Sequence, residues 1–380
     1  MSRIKLIYKK ISFIKATAEN STLQNLSKKI SLQPAVYENI TTRGPNETND
    51  GPCAGVEQID KDAPGWIAFI VIKTLITIAG LVSNLTTFIT LALNSKGFSK
   101  INRLLLQHQA IVDTFICIMG ITHYTQDRMW MTANDGFNLL VCQFWHTTYL
   151  YWAIVFVSVW NVVFITVERF ILINFPLKHR NITPKHLFIV FPFFWFFGFL
   201  FLGPAFTLKT YDKENQECLS EMLLSTTEWM TFLSYLAIIL MFVVYVLPIA
   251  IFIGLYTKTL VTLRQKRETN KESHILKIAD QQMTRTAIAV AIVFIISMSW
   301  DNIGSALFYS GLICNMPNTW PNDVGVFLAA LNSCANPLIY AVFLAAFRKS
   351  LRKTFKSGVD FVSGDSSNKT ESTQMALTQS

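Results

Sequence analysis

A chain of 380 residues could form two soluble domains, but 51% of its residues are hydrophobic, only 15% are charged, and the mean hydropathy is +0.36. That balance excludes an ordinary water-facing surface and makes lipid the expected solvent. The net charge of +9 lies in short connections between apolar runs rather than in one basic face, so no nucleic-acid partner is expected.

The first 64 residues are polar and carry Asn-x-Ser/Thr acceptors at Asn20, Asn25, Asn39 and Asn46, as a glycosylated extracellular leader would. Lys5, Lys9, Lys10 and Lys15 break up the only early apolar stretch, so the first span is expected to act as its own signal anchor. Seven apolar segments long enough to cross a bilayer follow, at 66–93, 104–121, 147–167, 187–206, 232–256, 287–313 and 324–343. The fold class expected is therefore an all-α seven-transmembrane bundle over 65–346. A short amphipathic helix at 347–356 and a disordered, phosphorylatable tail at 357–380 complete the chain. Lysines and arginines crowd the connections after the first, third, fifth and seventh spans, which assigns those connections to the cytosol and the amino terminus to the outside of the plasma membrane.

Polar residues inside these spans need explaining. Asp113 in the second span shares a depth with Asn84, Ser158, Asn332, Ser333 and Asn336. Such an oxygen-rich set suits a small cation or, equally, interhelical hydrogen bonding without one. Glu168 and Arg169 sit side by side where the third span meets a basic loop, either as interfacial anchors or as a working pair. Four cysteines fall on the oxidising side: Cys142 and Cys218 are the favoured pair, with Cys53 and Cys314 left over. Pro337, next to Asn336 and before Tyr340, places a kink beside the polar cluster.

Taken together these residues resemble the rhodopsin-like (class A) G-protein-coupled receptors. "NPLIY" at 336–340 matches the family's Asn-Pro-x-x-Tyr, and "ERF" at 168–170, ending in Phe170, stands where Asp-Arg-Tyr is usual. "GLVSN" supplies Asn84, "QAIVD" supplies Asp113, Trp195 marks the fourth span, and "LPIAIFIGLY" gives Pro248 and Tyr256. "FRKSLRKTF" is similar to the family's amphipathic helix on the inner leaflet, and the match covers about 65–356. The sixth span departs from the pattern: in "SWDN" Trp300 stays, Asn302 replaces the usual proline, and Asp301 stands between them. Cys142 precedes Arg169 by twenty-seven residues, more than is usual, which implies an irregular top to the third span.

The resemblance implies a cell-surface receptor that catalyses no chemistry. Glu168 would hold Arg169 at rest, and an outward swing of the sixth helix would free it for a heterotrimeric G protein, with Tyr256 and Tyr340 closing around it. Counting back from Trp300, Gln282 falls where many members carry a second acid facing that arginine. Asp113, Ser158, Asn332, Ser333 and Asn336 match the family's allosteric sodium site, and no other cofactor is implied. The tail would take an arrestin once phosphorylated. Tyr151 stands where amine receptors carry an aspartate, and the seventh span has no lysine, which argues against an amine receptor and a retinal-binding opsin. The acidic loop after the fourth span and a rim of Trp130, Tyr149, Tyr151, Trp152 and Tyr309, with Trp300 below, favour a peptide, and the loop's charge favours a basic one. The alternative from another class is a cation-coupled transporter or channel using Asp113, although no inverted repeat is visible.

Overall fold

The computed structural model describes residues 63–94, 96–124, 132–204, 209–214, 216–220, 227–268, 274–309 and 320–362. The leader with its four acceptors, Cys53, Trp130, Cys314 and the tail beyond 362 lie outside the described residues. Seven helical segments are long and apolar enough to cross a membrane. The first span is α1 (Pro64–Leu93), the second α2 (Lys100–Tyr124). The third combines α3 (Asp135–Leu140), a π-helical turn (Val141–His146) and α4 (Tyr149–Asn174). A short turn of helix, α5 (Pro176–His179), precedes the fourth span, α6 (Pro184–Leu202). A two-stranded antiparallel hairpin, β1 (Lys209–Asp212) and β2 (Glu217–Ser220), leads to the fifth span. That span is α7 (Thr227–Met241), a π turn (Phe242–Val246) and α8 (Leu247–Glu268). The sixth is α9 (His274–Tyr309), the seventh α10 (Trp320–Phe343), and α11 (Ala345–Val362) ends the described chain.

The helices outrun the segments that hydropathy marks. The sixth begins at His274 rather than near Ala287, and the third runs from Asp135 rather than Thr147. Hydropathy reports the part suited to hydrocarbon, whereas backbone hydrogen bonding continues into polar sequence as long as side chains tolerate it. The fourth ends at Leu202, short of the expected 206, where Gly203 and Pro204 follow. The last helix likewise exceeds 347–356 at both ends.

Buried residues cluster on the facing sides of the bundle, while Leu75, Val82, Phe188, Ile189, Ile296 and Leu338 are exposed around its girth, as lipid-facing residues should be. Small residues set the closest approaches. A methyl group on Gly80 would collide with Cys334 Sγ and lie 3.2 Å from Cys117 Sγ, so the first, second and seventh spans meet there without room for a side chain. Gly198 does the same between the fourth and third spans, where a methyl group would lie 2.8 Å from the Ala153 carbonyl.

The top of the third span is irregular. The π turn gives way to Thr148 in the left-handed region at φ 57° before α4 resumes, which absorbs the extra residues between Cys142 and Arg169. Cys142 in that turn is bonded to Cys218 in β2, with Cα atoms 5.4 Å apart, so the hairpin is tied across this end of the bundle. Lys213 adds an exposed contact to Asp135 at 2.6 Å, and that carboxylate raises the Lys213 ammonium above its ordinary range.

The first span holds a residue that a scan for apolar runs passes over. Lys73 is 2% exposed, and its ammonium lies 3.4 Å from Asp323 in the first turn of the seventh span, with the rings of Trp66 and Phe69 each 5.1 Å away. A hydrogen bond to a charged group is worth about 1.5–3 kcal/mol; the contact is 3.4 Å long and Asp323 is 17% exposed, so the lower end applies. Asp323→Ala is therefore expected to lower stability by about 1.5 kcal/mol. The double variant Lys73→Met with Asp323→Leu should recover most of that loss, as read from unfolding midpoints in detergent.

Candidate functional site: an arginine switch and a buried polar relay

At the end of the bundle opposite the disulfide, α4 carries Glu168 and Arg169, both buried. Arg169 Nε lies 2.7 Å from Glu168 Oε2, an ion pair rather than an aligned hydrogen bond, and Arg169 Nη2 has no hydrogen-bond partner among the described residues. The other carboxylate oxygen, Oε1, is 2.7 Å from His179 Nε2 of α5, so Glu168 is held from two sides. Nothing in the sequence marks His179, eleven residues away in a basic loop. Phe170 turns aside and meets Phe175 edge-on at 5.8 Å.

Arg169 borders a cavity of about 30 Å³, room for a water or two, whose wall includes Thr166, Tyr256, Met283, Val290 and Tyr340. Tyr256 OH and Thr166 Oγ1 share a hydrogen bond of 2.8 Å, and Tyr340 packs edge-on against Phe347 of α11 at 6.1 Å. The structure thus brings Arg169, Tyr256 and Tyr340 around one space.

Gln282 does not join them. Its Oε1 accepts a hydrogen bond from the backbone N–H of Ala345 at 3.3 Å, tying the foot of the sixth span to the start of α11. Met283 and Thr286 line the cavity in its place. Trp300 also departs from expectation. Phe294, Ser297 and Met298 are buried on the inward face of α9, whereas Trp300 is 51% exposed. Two residues along a helix turn a side chain through about 200°, so with Met298 inside Trp300 must lie outside. α9 runs unbroken through this region, and Asn302, standing where the family's proline usually is, donates to the Met298 carbonyl at 2.9 Å. Asp301, one residue past Trp300, returns to the inward side and approaches Gly325 of the seventh span.

The expected ligand rim is only partly assembled. Tyr151 is buried and donates its hydroxyl to the Val326 carbonyl at 3.1 Å, joining third and seventh spans, while it also borders a small cavity with Met119, Phe144 and Trp145. Trp152 packs edge-on against it at 5.3 Å. Tyr149 donates to the Phe199 carbonyl at 3.0 Å. Tyr309 ends α9, and its side chain lies outside the described residues.

Deeper in the bundle, the residues expected around Asp113 do converge. Asp113 Oδ1 accepts from Ser158 Oγ at 3.0 Å and Oδ2 from Asn336 Nδ2 at 2.7 Å. Asn84 donates to the carbonyls of Gly80 and Ser333, at 3.0 and 3.1 Å. Asn332 Oδ1, Ser333 Oγ and Asn336 Oδ1 are buried without a hydrogen-bond partner among the described residues. Gln109 is a member of the cluster that no motif in the sequence singles out. Its Nε2 donates to Asp113 Oδ1 at 3.0 Å and to Ser158 Oγ at 2.6 Å, so both amide hydrogens fall on oxygens expected to hold sodium. The side chains present therefore do not fit the ion as expected on the Ser158 side.

The family profile "7 transmembrane receptor (rhodopsin family)" matches residues 83–340. The chain belongs to the rhodopsin family of seven-transmembrane receptors. That membership places the receptor among multi-pass membrane proteins that signal through G proteins, not among enzymes. It is 24% identical over 231 residues to rhodopsin of Petromyzon marinus, covering 58% of this chain and 64%, just under two thirds, of that protein. It is 22% identical over 291 residues to galanin receptor 2a of Danio rerio, covering 75% and 77%. With rhodopsin of Sminthopsis crassicaudata it shares 24% over 323 residues, covering 80% and 86%.

Proposed function

We propose that the receptor sits in the plasma membrane with its amino terminus outside and passes the binding of an extracellular peptide to a heterotrimeric G protein. The observation that carries this reading is the Glu168–Arg169 pair beside a cavity walled by Tyr256 and Tyr340. In the arrangement described, Arg169 is held by its neighbour and Tyr256 by Thr166. Outward movement of the sixth helix would withdraw Met283 and Val290 from that wall and open Arg169 to the G protein. A ligand achieves this only through unequal affinity for the two packings. The phosphorylated tail would then recruit an arrestin, and the basic face of α11 would lie on the inner leaflet.

Two features support a peptide with a cationic group. Asp301 is an inward carboxylate on the far side of Met298 from Arg169, without a hydrogen bond or ion pair among the described residues. The hairpin above presents Asp212 and Glu214. The likeness to galanin receptors supports a peptide ligand without bearing on its charge, while a seventh span without lysine separates the chain from a retinal-binding role.

The test is a second-messenger screen of a synthetic peptide library on cells expressing the full chain. Active peptides should carry lysine or arginine, and Asp301→Asn should weaken them about thirtyfold, the worth of roughly 2 kcal/mol for a desolvated charge pair. Potency unchanged by Asp301→Asn would remove the cationic anchor. No response from any peptide, with basal output insensitive to Arg169→Ala, would remove the receptor reading itself.

A further inference from the structure

Buried polar side chains form a directed relay from the fourth span to the second. Trp195 Nε1 donates to His108 Nε2 at 3.2 Å. His108 Nδ1 then carries the proton and donates to Asn161 Oδ1 at 3.1 Å. Asn161 Nδ2 donates to Gln109 Oε1 at 2.7 Å, and Gln109 Nε2 donates onward to Asp113 and Ser158. Phe191 stacks on the His108 ring at 3.8 Å and holds it in line.

The direction of the relay is fixed chemically at both ends. Indole has only a donor, and an ionised carboxylate has only acceptors. In the middle, Asn161 Nδ2 also lies 3.3 Å from the Leu105 carbonyl, which can only accept. Asn161 must therefore turn its nitrogen towards Gln109, and Gln109 must turn its oxygen to Asn161 and its nitrogen to Asp113. Its Nε2 stands 3.0 Å from Asp113 Oδ1 and 2.6 Å from Ser158 Oγ, the position a cation bridging those two oxygens would need.

We propose that the Gln109 carboxamide is a built-in substitute for a monovalent cation beside Asp113, so that this receptor holds its second, third and seventh spans together independently of sodium. The amide supplies the two contacts an ion would make to Asp113 and Ser158, and the relay behind it prevents the amide from swinging away. On the seventh-span side, Asn332 Oδ1, Ser333 Oγ and Asn336 Oδ1 remain without donors among the described residues. An oxygen set suited to a hard cation thus survives, with an amide nitrogen in its midst. Removing that nitrogen should make the site able to bind sodium.

The experiment uses the purified full-length receptor in detergent micelles and compares unfolding midpoints in sodium chloride and in choline chloride of equal ionic strength. The wild type should show no sodium-specific rise. Gln109→Leu should have a lower midpoint in choline and gain a few degrees in sodium, and the gain should vanish in Gln109→Leu with Asp113→Asn. Gln109→Met serves the same purpose where the leucine variant does not fold. A sodium-specific rise in the wild type overturns the proposal outright, and so does a folded Gln109 variant that stays blind to sodium.

Discussion

Replacing Cys142 and Cys218 together by alanine is expected to lower the stability of the folded receptor by about 4.5 kcal/mol, the chain-entropy value for a loop of this length. The two cysteines are 76 residues apart, and the loop they close contains most of the third span, the whole fourth span and the hairpin. Much of that loop is already ordered by membrane spans, so the effect should concentrate at the hairpin. Another tie to the bundle, the exposed Lys213–Asp135 contact, is weaker, and the backbone pairing within the hairpin holds it together without fastening it to the spans. Hydrogen exchange in the double variant should accelerate in 209–220 while the amides of Val155 to Val163 stay protected. Equal acceleration in both regions would show that the disulfide supports the whole bundle. Peptide mapping without reductant checks the bond directly.

Arg169→Ala is expected to abolish coupling, and Glu168→Gln to raise signalling without ligand. Loss of a charge-assisted tie costs about 1.5–3 kcal/mol, and each step of about 1.4 kcal/mol is tenfold in population. The Arg169–Glu168 contact is short but poorly aligned, so the lower figure applies and basal output should rise about tenfold. The position of Gln282 changes which substitution would quiet the receptor. Gln282→Glu places its carboxylate at the N–H of Ala345, where the start of α11 welcomes a negative charge, and leaves Arg169 untouched. Met283→Glu places an acid in the cavity wall beside Arg169 and should lower basal output. A second-messenger assay at matched surface expression separates the four variants. Glu168→Gln without effect would mean that the pair is only an interfacial anchor.

Much of the fold was legible because lipid imposes a simple requirement. Runs such as 66–93 and 324–343 had to be helices once their length and apolarity were read, and they are. Motif order also placed Asp113, Ser158 and Asn336 in one cluster, and Arg169 with Tyr256 and Tyr340 around one cavity. What motif counting did not supply was the face of the helix. Without a proline in "SWDN" to mark the register, motif alignment puts Trp300 and Gln282 on the inward face, whereas the inward stripe runs through Met283, Ala287, Phe294 and Met298. Lys73 and Gln109 were legible in principle, since a polar residue in a span needs a partner. Their partners, Asp323 and Ser158, lie on other spans, and a one-dimensional reading does not bring spans together.

The one-way order of the relay from Trp195 to Asp113 carries a consequence for the receptor's descent. Asn161→Asp would set an acceptor against the Gln109 oxygen, and Gln109→Glu would set a carboxylate against Asp113, so each such change alone leaves like poles facing inside the bundle. Positions 108, 109, 161 and 195 should accordingly have been exchanged as a block, not one at a time. A set of sequences from closely related animals should show the four varying in concert, with the amide at 161 lost wherever the amide at 109 is lost.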